Sequence, residues 1–207
     1  MADPFEMLTV AAALTDNLEI GSAVLQVPLY HPVELAHRAL SIQQLCGDRL
    51  TLGVGVGSTE ADFLTLGLEF QDRFKMYRQS MKIVREIFET GRSGDSDLTP
   101  WPEVMGGPRL YLGSWGAGVE RAARDYDGWI ASGHFRSPEQ LDEGIRRYRA
   151  AGGDRAIVST IRVSGESDLG ELGARLDQYA ESGFDDAVVF REPGALSPES
   201  IVKLVDG

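Results

Sequence analysis

The sequence predicts an α/β fold assembled from parallel βα units. Three observations carry that prediction. Short β-type runs alternate with amphipathic helical stretches along the whole chain. Helix-start signals follow several of the runs, as in Ser137-Pro138 and Ser197-Pro198. Glycine-rich turns stand where a strand would give way to a helix, as in Gly113-Ser114-Trp115-Gly116. Such alternation is the signature of a parallel sheet with crossover helices.

The elements follow in order. Asp3 caps a first helix, with Pro4 in its first turn and Phe5, Leu8, Ala11 and Ala12 at helical spacing. A strand over Leu18 to Leu25 ends near Pro28. His31-Pro32 opens a second helix, whose apolar face holds Val33, Leu35, Ala36, Ala39, Leu40 and Ile42, and Gly47-Asp48 closes it. Arg49 to Gly57 is the second strand. A long helix over Asp72 to Thr90 repeats Phe74, Tyr77, Met81, Val84 and Phe88 every three or four residues, which sets one stripe against a core. Residues 91–108, rich in Gly, Pro, Ser and Asp, read as a surface loop. The remaining strands are Arg109 to Gly113, Trp129 to Ala131, Ala156 to Val163 and Asp186 to Phe190. Helices follow them at Gly116 to Arg124, from the capping box Ser137-Pro138-Glu139-Gln140 to about Ala151, at Leu169 to Ser182, and from Ser197-Pro198. A closed eight-stranded β/α barrel takes about 250 residues. Six units with one helix in front are short of it by two strands and one helix.

Composition narrows the function. The 207 residues suit one domain, and nothing marks a linker within 1–207. The formal net charge of -12, from 32 acidic and 20 basic residues, argues against partnership with nucleic acid or an anionic membrane surface. No apolar run approaches the roughly 18 residues that span a bilayer, and the start at Met1 lacks the pattern of a signal peptide. One cysteine, Cys46, cannot form an internal disulfide, so a reducing cytoplasm is the expected location. His31, His37 and His134 show no metal-ligand spacing, and no metal is expected.

In parallel βα folds the ligand sits at the carboxyl ends of the strands. Gly53-Val54-Gly55-Val56-Gly57-Ser58 would let a ring or phosphate approach the backbone at Gly55, Gly57 and Ser58, or would simply permit tight packing. Gly113-Ser114-Trp115-Gly116-Ala117-Gly118, between a strand and a helix, suits an anion, or is an ordinary flexible loop. Ser22 and Ala23 are small enough for a flat ring to lie against the chain, or for a crowded sheet. Trp129 faces a cofactor or fills the interior. His31 is a candidate hydrogen-bond donor to substrate or a cap of its own helix; His134, after the fourth strand, is a candidate proton donor. His37 and Cys46 read as structural.

Taken in order, several segments resemble the bacterial luciferase-like monooxygenase family of flavin- and deazaflavin-dependent oxidoreductases. They are Asp3-Pro4-Phe5 through Thr15, Leu18 through Val24, His31-Pro32-Val33-Glu34-Leu35-Ala36, Gly47 through Gly57, Leu112-Gly113-Ser114 and Asp127-Gly128-Trp129-Ile130. The resemblance implies a TIM-type barrel, apparently lacking its first two strands and first helix. It implies a cofactor, FMN or the deazaflavin coenzyme F420, with its ring near Ser22 and Ala23, beside a non-prolyl cis peptide. It also implies phosphate contacts at Gly57 and Ser58 and from Ser114 to Gly118. Where some flavin-using relatives carry an arginine, Val56 stands here. An open sheet exposes strand edges and apolar surface, so a homodimer is expected. The expected activity is oxidation of a small organic substrate. A non-catalytic flavin-binding remnant and a sugar-phosphate barrel enzyme are the alternatives.

Overall fold

The computed structural model describes residues 3–205. The chain divides into two compact units, Met1–Tyr111 and Leu112–Gly207.

In the first unit, helix α1 (Pro4–Leu14) starts as the sequence dictates: the Asp3 carboxylate accepts from the Phe5 amide at 2.8 Å and the Glu6 amide at 3.3 Å. Strand β1 (Ile20–Gln26) leads through a single tight turn, Val27–Leu29, to α2 (Pro32–Cys46). Strand β2 (Leu50–Gly55) lies parallel to β1, from Ile20 opposite Leu50 to Gln26 opposite Gly55, with a shift of register between Ser22 and Leu25. All six residues of β2 are buried, which explains its nearly unbroken run of apolar and small residues. A short helix α3 (Glu60–Thr65) and the long α4 (Arg73–Thr90) follow, then a small antiparallel hairpin of β3 (Arg92–Ser93) and β4 (Ser96–Asp97). Leu35, Ala36 and Leu40 of α2 and Tyr77, Met81, Val84 and Phe88 of α4 fill the core. Each large aliphatic or aromatic side chain so buried stabilises the fold by about 1.5–3 kcal/mol.

Strand β5 (Arg109–Gly113) ends the first unit and opens the second. The second unit continues with α5 (Gly118–Asp125), β6 (Gly128–Ser132), α6 (Pro138–Ala150), β7 (Arg155–Val163), α7 (Leu169–Ser182), β8 (Asp186–Arg191) and α8 (Pro198–Val205). β6, β7 and β8 are parallel neighbours in that order. The capping box forms: Ser137 Oγ accepts from the Gln140 amide at 3.4 Å, and Gln140 Oε1 accepts from the Ser137 amide at 3.0 Å.

Four expectations need correction. Phe74 does not join the buried stripe of α4; it is 49% exposed, with its ring under the Arg73 guanidinium. The 91–108 stretch is not all loop, because it folds the β3–β4 hairpin and buries Val104. Helix α3 lies in what reads as connection, since six residues are too few to show a helical period. The first expected strand also begins later, at Ile20, and leaves Leu18 exposed.

The amino ends of the strands are tied down by charge. Arg49 reaches back from the start of β2 to Thr15 Oγ1, the Leu18 carbonyl and the Ala12 carbonyl, each at 3.0 Å. Glu19 accepts from Thr51 Oγ1 at 2.9 Å and from Arg109 at 2.8 Å. In the second unit Arg155 pairs with Asp186 at 2.7 Å, and Arg149 pairs with Asp185 at 2.7 Å.

Candidate functional site

The carboxyl ends look different. In the first unit the shift of register on β1 coincides with a cis peptide between Ala23 and Val24, neither followed by proline. It falls where the resemblance implies such a bond. Ser22, just before it, donates through Oγ to the Gly53 carbonyl at 2.9 Å and borders an apolar groove of about 460 Å³ walled by Met7, Leu8, Ala11 and Ile20. Ala23 is exposed.

At the end of β2, Gly55 is buried, Val56 and Gly57 are half-buried, and Ser58 is exposed. Gly57 has φ +81°, and a Cβ there would stand 2.5 Å from Gln26 Oε1 and 3.0 Å from the Phe63 ring. Only glycine meets both demands. Gln26 is a residue the sequence did not single out. Its amide nitrogen donates to Asp62 at 2.9 Å, while its buried carbonyl oxygen has no partner. An orphaned buried acceptor of this kind costs about 1–3 kcal/mol.

His31 occupies the position before α2, yet its side chain makes no cap hydrogen bond. The capping role is therefore not taken up by the imidazole. His31 instead lines a cavity of about 520 Å³ beyond the ends of β1 and β2.

In the second unit, the loop Gly113 to Gly118 is held by its carbonyls. Ser114 O accepts from Trp129 Nε1 at 3.2 Å, Gly116 O from Arg147 Nη2 at 2.8 Å, and Gly118 O from Ser114 Oγ at 2.9 Å. Trp115 O accepts from the Gly118 amide at 3.1 Å. The amides of Trp115, Gly116 and Ala117 take no backbone partner among the described residues. Gly116 is left-handed at φ +62° and Ala117 right-handed at φ -66°, a pairing that turns successive N–H groups to one side and makes a concave seat for an anion. A Cβ on Gly118 would approach Ser114 Cβ to 2.7 Å, so glycine keeps the loop closed. The macrodipole of α5 adds to the attraction.

Glu120, in the first turn of α5, already answers that field. Its pKa lies below the ordinary carboxylate value, chiefly because its own backbone amide stabilises the charge and then because Arg147 pairs with it at 2.7 Å. Arg147 was invisible as a site residue in the sequence, since its partners stand 27 and 31 positions away.

Trp129 requires a correction. It is fully buried, between Trp115, Tyr148 and Phe184 at centroid distances of 6.0, 5.5 and 5.8 Å, and offers no face to a ligand. Its part is to anchor the loop through Ser114 O. His134 lies exposed on the loop after β6, edge-on to Phe135. Thr160 was also missed: it sits at φ +60° in the irregular stretch of β7, next to Ser159, the partner of the last residue of β6. A threonine in that conformation is uncommon. Cys46 is buried and donates to Ile42 O at 3.2 Å; burial pushes its thiol pKa up, consistent with an inert side chain. Among the described residues no group of three or more His, Cys, Asp or Glu is placed to hold a metal ion, and no helix is long and apolar enough to cross a membrane.

The luciferase-like monooxygenase family model matches residues 1–182. An uncharacterized protein of Mycobacterium tuberculosis is 29% identical over 208 residues, covering 96% of this chain and 71% of that protein. The F420-dependent glucose-6-phosphate dehydrogenase of Mycolicibacterium gilvum is 28% identical over 192 residues, covering 80% of this chain and 56% of its own length. Among solved structures, an F420-dependent secondary alcohol dehydrogenase in complex with an F420-acetone adduct superposes with a TM-score of 0.73 at 15% identity, over 92% of this chain and 78% of that one. That last likeness speaks for the fold, which is that of the luciferase-like TIM-barrel enzymes.

Proposed function

Since the chain belongs to the luciferase-like monooxygenase family, we propose that it is an oxidoreductase that uses FMN or coenzyme F420 to oxidise a small organic molecule. The observation that carries this reading is the loop from Ser114 to Gly118, whose carbonyls are engaged and whose amides are left for an anion such as a cofactor phosphate. Relatives named for F420 support the same reading.

The residues present fit such a group. In the second unit, Trp115, Gly116 and Ala117 would hold a phosphate through their amides, while Ser114, whose own amide donates to the Ile130 carbonyl at 3.4 Å, and Arg147 brace the loop. Taken by itself, the first unit offers Ser22 and Ala23 as a surface for a flat ring, and Gly57 and Ser58 as backbone and hydroxyl donors. When bound, the cofactor supplies hydride transfer or oxygen activation; the protein's share is to bind, orient and exclude water. His31 would donate a hydrogen bond to substrate, and His134 would serve as a proton donor at the loop after β6.

The location proposed is the cytoplasm. The proposed assembly is a homodimer, because α1 is apolar on both sides: Phe5, Leu8 and Ala12 are buried, while Met7, Val10 and Leu14 are 55%, 50% and 79% exposed. Sedimentation velocity tests this: a single monomeric boundary across micromolar concentrations defeats it.

The experiment for the function is a fluorescence titration with FMN and, separately, F420, each oxidised and reduced. Saturable binding of one, weakened by Gly116→Val, is the expected result. A folded protein that binds neither is a remnant and not an enzyme of this type.

A further inference from the structure

The Ser114–Gly118 loop stands among arginines of two kinds. Arg146, Arg149, Arg155 and Arg162 of the same unit each pair with a carboxylate, and Arg147 pairs with Glu120 beside the loop. Arg136 and Arg121 have no carboxylate partner among the described residues. The chain holds 32 acidic residues against 20 basic, so a shortage of acids is not the reason.

Trp115 ties Arg136 to the loop. The guanidinium carbon lies 4.6 Å from the centre of the Trp115 ring, and the Trp115 amide is one of the three left open. The ring is a fixed platform, held against Trp129 at 6.0 Å and against Gly144, where a Cβ would stand 3.0 Å from the indole. Arg136 Nη1 donates to the Phe135 carbonyl at 2.7 Å. Nε is buried without a partner, and Nη2 has none among the described residues. Nε and Nη2 form the side-on fork that grips two oxygens of one phosphate. A buried charged donor without an acceptor is costly. Glu139, the nearest carboxylate along the chain, is taken by Ser137 Oγ at 2.6 Å.

Arg121 repeats the pattern, with a buried Nε that has no partner. It follows Ala117 by four residues and Gly118 by three, which sets it on their side of α5. Side chains on a helix lean toward its start, and a cation there opposes the macrodipole unless an anion is present. Glu120 and Arg147 cancel one another. Arg136 and Arg121 each add a positive charge that nothing offsets.

We propose that Arg136, seconded by Arg121, makes this seat selective for a doubly charged phosphate monoester over a singly charged diester. A monoester presents several charged oxygens to the fork and the amides together, whereas a diester has given up one of them to a second ester bond. The inference rests on the oxidoreductase reading where it extends to the cofactor. FMN ends in a phosphate monoester and F420 carries a diester, so it names FMN.

The test is calorimetry on the full chain at pH 8 with methyl phosphate and with dimethyl phosphate. A phosphate monoester has its second pKa at about 6 and is doubly charged there. Methyl phosphate is expected to bind about tenfold tighter than dimethyl phosphate. Arg136→Gln is expected to weaken methyl phosphate about tenfold and dimethyl phosphate about twofold or less, closing the preference. Arg136→Lys, which keeps the charge without the fork, falls between, and Arg121→Gln costs methyl phosphate about threefold. An unchanged urea midpoint shows that a variant is folded, and Arg136→Lys carries the test if Arg136→Gln is not. Equal binding of the two esters, no binding of methyl phosphate, an unchanged preference in the folded Arg136 variants, or tighter binding of F420 than of FMN each overturns the proposal. FMN binding without an ester preference defeats this proposal alone. An ester preference in a chain that binds neither cofactor defeats the oxidoreductase reading alone.

Discussion

The two ends of the strands are built on opposite plans. At the amino ends, charged side chains close on one another and on chain carbonyls: Arg49 on Thr15, Leu18 and Ala12, Glu19 on Thr51 and Arg109, Arg155 on Asp186. At the carboxyl ends, polar groups stand open: Gln26 Oε1 in the first unit and, in the second, the amides of Trp115 to Ala117, which take no backbone partner among the described residues. The difference is energetic. A satisfied buried donor stabilises by about 1 kcal/mol, whereas an orphaned one costs about 1–3 kcal/mol. Gln43 Oε1 in α2 is also buried without a partner, so an open group alone does not mark a ligand; the proposed ligand side is the carboxyl end because parallel βα folds place their sites there.

The largest expected effect breaks the secured end. Arg49→Met removes three hydrogen bonds from a charged donor and leaves two chain carbonyls, Ala12 and Leu18, without it. The expected loss is about 2 kcal/mol of unfolding free energy, read as a lower midpoint in urea with an unchanged slope. Cofactor affinity of the folded variant is expected to stay as it was. A variant as stable as the parent, or one folded but unable to bind, would show that the two ends do not divide the work in this way.

The midsized effect probes the open end. Arg147→Met frees the Gly116 carbonyl and loosens the loop that presents the amides. Sulfate affinity, measured by calorimetry, is expected to fall about tenfold, while stability changes by about 1 kcal/mol or less. Equal sulfate binding by parent and variant would mean that the loop needs no such brace.

Much of this was legible in the sequence because it depends on neighbours. The Asp3 cap, the Ser137–Gln140 box and the apolar stripe of α2 are local features, and each formed where the residues placed it. The six main strands and their following helices emerged for the same reason. What stayed hidden is non-local. Trp129 reads as a ring for a cofactor or, by a small margin, as a core residue until Tyr148 and Phe184 are seen closing on it. Gln26 acquires meaning only beside Gly57, 31 positions on, and Phe74 lies outside its stripe with the Arg73 guanidinium over its ring. Periodicity reports which face a helix could bury; it does not report what waits there.

The smallest expected effect concerns Glu120, which competes for the seat it stands beside. Its carboxylate draws first on its own backbone amide at the start of α5 and second on Arg147. Both lower its pKa in the folded chain below the ordinary value of 4.5. The sign follows: a carboxylate with a depressed folded pKa contributes its stabilisation above the unfolded pKa and loses it as pH falls through the folded one. From pH 8 to 5 the group stays charged, and its negative charge opposes a second anion nearby. Sulfate keeps its own charge over this range, so it isolates the effect. Its affinity is expected to be flat from pH 8 to 5 as far as Glu120 governs it. It should rise only once the pH falls to the lowered pKa and the carboxyl protonates. Glu120→Gln should reproduce the gain at neutral pH, by about two- to threefold, the size of a helix-end charge effect. If Glu120→Gln binds sulfate no better, or less well, then the carboxylate helps to build the seat and does not compete for it. The open end of the second unit would in that case owe its anion affinity to the Arg147–Glu120 pair more than to the free amides.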